Sequence, residues 1–99
     1  IRNRIDGVIH MPRAVRIHQT GGPEVLTLDD VAVGTPGPGQ ALIRHGAIGV
    51  NFIDLHQRTG RYPLPDLPVT LGMEGAGTVE AVGAGVTVVQ PGDRVSYVA

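Results

Sequence analysis

Beginning at Pro12, apolar and polar positions alternate in short runs broken by turn residues, the period-two signature of β-strands rather than the longer period of helix. In Ala14-Val15-Arg16-Ile17-His18, Val15 and Ile17 fall on one face and Arg16 and His18 on the other. Gly21-Gly22-Pro23-Glu24 makes a turn. Val25 to Val33 then supplies a second extended stretch, with Val25, Thr27 and Asp29 opposite Leu26 and Leu28. The run GTPGPG at 34–39 continues neither regular element and predicts a loop. The strand after it, Gln40 to Ile48, is expected at the centre of a sheet because of its Ala41-Leu42-Ile43 core.

One helix is predicted, Asn51 to Thr59. Asn51 can cap it, Asp54 lies at the third helical position where a carboxylate complements free backbone amides, and Gly60 can close it. Phe52 and Leu55 are expected to face the core with Ile48 or Val50, leaving His56, Gln57 and Arg58 around the exposed side or a cleft. YPLPDLP at 62–68 reads as an extended, proline-stiffened loop. Beyond LGMEGAG at 71–77 come Thr78 to Val82, a turn at 83–85, Val86 to Val89, the turn Gln90-Pro91-Gly92-Asp93 and a strand from Arg94 to Val98.

Ninety-nine residues suit one small domain. The formal charge of -1 gives no field that favours nucleic acid or anionic lipid, so neither is expected as a partner. The absence of cysteine excludes disulfides, thiolate catalysis and any Cys-based metal site, and it fits a reducing cytoplasm. Apolar runs are only a few residues long, far short of the roughly 20 that span a bilayer. With one Phe, two Tyr and no Trp, the core must be aliphatic.

The opening IRNRIDGVIH lacks the plan of a secretory signal. Its place ahead of Met11 marks residues 1–10 as a leader or vector-derived segment, with an amino-terminal strand as the alternative. The chain ends in or just after a strand with no closing cap, so residues 11–99 are expected to form an incomplete domain.

The runs Gly75-Ala76-Gly77 and Gly83-Ala84-Gly85 invite a dinucleotide-loop reading. Neither has the third glycine of GxGxxG, and each leads into a β-branched run where phosphate binding needs a helix amino terminus. They are better read as β corners that need close backbone approach. Four histidines, His10, His18, His45 and His56, match no metal-ligand spacing, and His18 and His45 fall on strands as surface residues. Glu74, flanked by Leu71, Met73 and Ala76, requires a partner if buried. Structural pairing with an arginine or backbone amides is favoured over direct catalysis.

Three blocks, GVNFIDLHQRTGRYPLP at 49–65, LPVTLGMEGAGTVEAVGAGV at 67–86 and PGDRVSYVA at 91–99, carry a wider resemblance. Over Pro12 to Ala99 the chain resembles the amino-terminal, GroES-like catalytic domain of medium-chain dehydrogenases/reductases. Within that superfamily it is similar to the zinc-free quinone oxidoreductase branch related to zeta-crystallin. The resemblance implies a mainly β fold, a partly open β-barrel with one or two short helices, from which the Rossmann domain is absent.

In zinc-containing relatives the positions matching Asn51 and Met73 are cysteine and histidine ligands, with an acid matching Glu74 beside them. An amide and a thioether are not usual ligands of catalytic zinc, so no metal is expected. The resemblance implies NADPH as the cofactor of the complete enzyme and a quinone or other conjugated carbonyl as substrate. It places Asn51 near the nicotinamide and the substrate carbonyl, has Asp54 order the loop and helix, and has Tyr62 line the cleft. His56, where many quinone reductases carry a tyrosine, would donate a hydrogen bond or a proton. Asn51, Asp54, His56 and Tyr62 are thus the expected catalytic residues, Asn51 also contacts cofactor, and Glu74 is structural. Arg58 and Arg61 read as solvated surface. The 99 residues alone are expected to be inactive. Exposed strand edges offer a route to a homo-oligomer or to a non-enzymatic assembly module, and an inactive truncated fragment is the remaining alternative.

Overall fold

The computed structural model describes residues 12–99 in full and the backbone of residues 3–5 and 8–10. The first strands, β1 (Asn3–Ile5) and β2 (Val8–His10), pair antiparallel as a small two-stranded sheet. The side chain of His10 lies outside the described residues.

The expected alternation of Val15 and Ile17 produces β3 (Arg13–Ile17), and the turn after it becomes a single 3-10 turn, Pro23–Val25. The chain then returns as β4 (Leu26–Asp30), with Ile17 opposite Leu26 and Val15 opposite Leu28. Thus the apolar side chains of the two strands share one face. A two-residue strand, β6 (Val69–Thr70), pairs with the other edge of β3 after β5 (Ala41–Ile48) has been laid down in the second sheet. So short a segment carries no alternation to read, and the pattern did not predict it.

The second sheet has the order β5-β7-β8, where β7 is Glu74–Val82 and β8 is Arg94–Val98. Two expectations are corrected here. The central strand is β7, not β5, and it begins at Glu74, four residues before the predicted start. The glycines that suggested a corner are what allow the central position. A Cβ at Gly77 would run into the Arg44 carbonyl of β5, so small residues let β7 take a partner on each side. Val86 to Val89 forms no strand, because the turn before β8 is fastened to β7 itself. The Val79 amide donates to the Asp93 carbonyl, and the Gly92 amide donates to the Val79 carbonyl, each at 2.9 Å. The residues between the turns arch over without a ladder, and Val88 is exposed.

The two three-stranded sheets face one another across an open apolar space of about 800 Å³ lined by Val15, Leu28, Ile43 and Leu71 among others. No closed barrel forms among the described residues. The apolar core there is small and aliphatic: Ile17, Val25 and Val79. No described helix is long and apolar enough to cross a membrane.

Candidate functional site

The only α-helix among the described residues, α1 (Phe52–Thr59), follows the signals that predict it. Asn51 is the N-cap with extended backbone, and the Asn51 amide donates to Asp54 Oδ2 at 2.9 Å. Gly60 ends the helix in the left-handed region at φ 87°, and its amide donates to the Gln57 carbonyl.

The faces of α1 differ from expectation. Phe52 is 82% exposed, and Ile48, Val50 and Leu55 are also exposed, whereas Asp54 is buried with 7% of its surface accessible. The helix is anchored by polar groups instead of by an apolar stripe. Asp54 holds the entering loop. One turn later, Arg58 clamps the 21–22 turn twice: its Nε donates to the Gly21 carbonyl at 3.2 Å, and its carbonyl accepts the Gly21 amide at 2.9 Å. Arg58 is therefore partly buried and structural, not solvated surface. No local pattern discloses this clamp, since its partner lies 37 residues away.

Asp54 has a further peculiarity. With Oδ2 occupied by the Asn51 amide, Oδ1 is buried and has no hydrogen-bond partner among the described residues. Asp54 is also among the residues around a cavity of about 220 Å³ between α1 and the first sheet.

His56 and Tyr62 come together at the exit of the helix. Their rings meet edge-on with centroids 4.9 Å apart, and the Tyr62 amide donates to the His56 carbonyl at 3.1 Å. The structure thus gathers the four candidate residues into two pairs, Asn51 with Asp54 and His56 with Tyr62, at the two ends of one helix. No hydrogen bond is found between the pairs among the described residues.

Glu74 stands apart from both. Its backbone carbonyl accepts the Gly49 amide at 3.2 Å, which ties the start of β7 to the loop that leads to Asn51. Its carboxylate has no ion pair or hydrogen bond among the described residues, contrary to the expected pairing with an arginine or backbone amides. The physical reason is exposure. Glu74 is only half-buried on the wall of an open cleft of about 540 Å³ with Gly49, Ser96 and Val98, so water can solvate the charge.

The other described histidines do not converge. His18 Nε2 lies 2.7 Å from Asp29 Oδ2, and Arg16 is 3.9 Å from the same oxygen. The His18 hydrogen bond is the main cause that holds the Asp29 carboxyl below its ordinary value. His45 Nε2 lies 2.6 Å from the Tyr97 hydroxyl across the second sheet. Both pairings depend on long-range register and were invisible in the sequence. No group of three or more His, Cys, Asp or Glu side chains placed to hold a metal occurs among the described residues.

Comparison with known proteins places this geometry. The chain is 51% identical over 87 residues to a quinone oxidoreductase of Pseudomonas aeruginosa, an alignment covering 88% of this chain and 27% of that protein. Its fold superposes with a TM-score of 0.86 on the crystal structure of Escherichia coli quinone oxidoreductase complexed with NADPH, at 42% identity over 88% of this chain and 27% of that one. A quinone oxidoreductase structure from Pseudomonas syringae gives the same TM-score at 49% identity, covering 90% and 27% of the two chains. The chain therefore spans about a quarter of the length of these relatives. The alcohol dehydrogenase GroES-like domain family matches residues 37–99, a segment that runs from the loop before β5 through α1 and the whole central strand to the end of β8. With its fold and its sequence in agreement, this chain belongs to the alcohol dehydrogenase GroES-like domain family.

Proposed function

We propose that this chain is the amino-terminal, substrate-facing domain of an NADPH-dependent quinone or enone oxidoreductase that transfers hydride without zinc. The observation that carries the reading is the capped start of α1. Asp54 fixes the Asn51 backbone and leaves Asn51 exposed at a helix entrance, at the position where zinc-containing relatives need a thiolate. A carboxamide there suits a hydrogen bond to a carbonyl oxygen and is a poor ligand for zinc, as is the thioether of Met73. The likeness to an NADPH-complexed quinone oxidoreductase supports the same assignment.

The residues present fit one end of the cofactor. Asn51 would contact the nicotinamide. The two Gly-Ala-Gly runs lie within β7 and in the turn after it, where no helix amino terminus follows to meet phosphate. NADPH, when bound in the complete enzyme, supplies the hydride. Asn51 orients the substrate carbonyl, Tyr62 lines the cleft, and His56 donates a hydrogen bond or proton toward the substrate oxygen. Asp54 is a positioning residue that acts through Asn51. The 99 residues alone are expected to hold NADPH feebly and to turn nothing over. The parent enzyme is read as cytoplasmic, and the outer edges of β5 and β8, which pair with no other strand among the described residues, offer a route to a homo-oligomer.

The test follows NADPH oxidation by the parent protein with a small quinone, with and without a chelator. Turnover indifferent to chelation is expected, and Asn51→Ala should lower kcat/KM by about tenfold or more, as loss of a positioning hydrogen bond does. A rate that collapses on chelation overturns the zinc-free assignment. Absence of quinone-dependent NADPH oxidation overturns the reductase reading itself.

A further inference from the structure

Strand β5 is interrupted just before it hands the chain to Asn51. From His45 to Ala47 it uses two residues against the single step from Gly77 to Ala76 on β7, so Gly46 is an extra residue and the ladder breaks there. A bulge of this kind bends its strand and re-aims the residues beyond it. Past the bulge, Ala47 and Ile48 lie opposite Ala76 and Gly75, and the Gly49 amide donates to the Glu74 carbonyl at 3.2 Å. Asn51 follows two residues later as the cap of α1. At the level of the bulge, two side chains bridge the sheet. Two strand spacings, about 10 Å, separate β5 from β8. Yet His45 Nε2 on β5 lies 2.6 Å from the Tyr97 hydroxyl on β8, with ring centroids 5.7 Å apart. The contact crosses the central strand over Gly75, where a Cβ would fall 2.8 Å from His45 Cδ2 and 3.1 Å from the Tyr97 hydroxyl oxygen. Glycine at position 75 therefore keeps the path of the bridge open.

We propose that His45 and Tyr97 are positioning residues that act through Asn51. Their hydrogen bond clamps the bulged end of β5 to β8 and so fixes the line along which residues 48–51 leave the sheet. The inference rests on the reading of Asn51 as the group that orients the substrate carbonyl. Three observations favour it over a bond that merely stabilises the sheet. The bridge starts at the bulge, where the backbone ladder is interrupted. It joins two strands that are not neighbours in the sheet, so it restrains β5 independently of the β7 ladder. Its far side is fixed, because β8 pairs with β7 from Arg94 to Val98 and the Ala99 amide then donates to the Met73 carbonyl. Positional errors cost more than the bond that prevents them: a shift of about 1 Å at a reacting group can lower a rate by about 100-fold.

Tyr97→Phe removes the hydroxyl and keeps the ring. Hydrogen exchange of the chain's backbone amides reads the geometry without cofactor or turnover. The Gly49 amide should exchange about fivefold faster in this variant, the effect of one lost hydrogen bond. The Val79 amide further along β7 and the Val31 amide beside the first sheet should stay within about twofold, since a general loss of stability would speed all three alike. Gly75→Ala, which displaces the bridge without altering either partner, should reproduce the change, and His45→Gln, which keeps a hydrogen-bonding group at that position, should not. In the parent enzyme, Tyr97→Phe should lower kcat/KM for a quinone about fivefold beside native Asn51 and less than about twofold in an Asn51→Ala background. A residue that acts through Asn51 has nothing left to position there. An unchanged Gly49 amide in Tyr97→Phe, equal acceleration of all three amides, or equal kinetic losses in both backgrounds would each overturn the proposal. Should Gly75→Ala fail to fold, Tyr97→Phe decides by itself. A native parent that reduces no quinone refutes the redox reading instead, and the exchange of the Gly49 amide then decides alone whether the bridge holds the approach to Asn51.

Discussion

Helix α1 and strand β7 treat their acids and their apolar residues in opposite ways. In α1 the acid Asp54 is buried and the aromatic Phe52 lies 82% exposed. In β7 the acid Glu74 sits half-exposed at a cleft, and Val79 is buried, with 2% of its surface accessible. The strand follows the ordinary rule because neighbours on both edges and the facing sheet cover its inner side. The helix touches the rest of the fold through a cap and an arginine clamp, so its covered face is the polar one. Whether a side chain is buried depends on what lies over the element, and periodicity alone cannot report that.

The sharpest way to break this contrast is to remove an apolar anchor from the covered sheet. Ile17, fully buried where β3 meets β4, should lose about 2–5 kcal/mol of stability on replacement by alanine. Urea unfolding followed by circular dichroism measures it. A loss under about 1 kcal/mol would mean that the site is not packed as described.

The helix should respond in the reverse sense. Asp54→Ala removes the carboxylate that accepts the Asn51 amide and should cost about 1 kcal/mol, within the range for lost caps. Phe52→Ala, although it deletes a far larger apolar group, should stay within about 0.5 kcal/mol because that group is already in water. If Phe52→Ala proves the more damaging of the two in the same unfolding experiment, the helix is anchored by its apolar face and the contrast fails.

Much of this architecture was legible in the sequence. Asn51, Asp54 and Gly60 mark the ends of α1 because capping is chemistry between residues three or four apart, and the alternation in residues 14–18 marks β3 for the same local reason. The misreadings share the opposite cause. The central place of β7 depends on Gly77 meeting Arg44, and the loss of a strand at 86–89 depends on the Asp93 turn bonding to Val79. The buried side of α1 depends on a carbonyl at Gly21. Each is a contact between distant residues that no window of sequence contains. The candidate site divides along the same line. Asn51 with Asp54 could be foreseen from the capping pattern, whereas the edge-on contact of His56 with Tyr62, the unpartnered Asp54 oxygen and the solvated Glu74 could not.

The smallest effect concerns the outer face of the first sheet, where an ion pair sits on an element that is already covered on its inner side. The His18 hydrogen bond, with lesser help from Thr27, His18 charge and Arg16, lowers the Asp29 pKa from its ordinary 3.8. A carboxyl whose folded pKa is depressed contributes stability that is fully present above the unfolded value and is lost as pH falls through the folded value. Stability should therefore be insensitive to this group above about pH 5 and should decline as pH drops below about 4. Asp29→Asn should be slightly less stable than the native chain at about pH 6 and should converge with it near about pH 2. Urea midpoints across that range test the point, and a gap that persists unchanged at the acid end would mean that residue 29 stabilises the hairpin by something other than its charge. The effect should remain small, because the pair lies at the surface, where water and salt screen it.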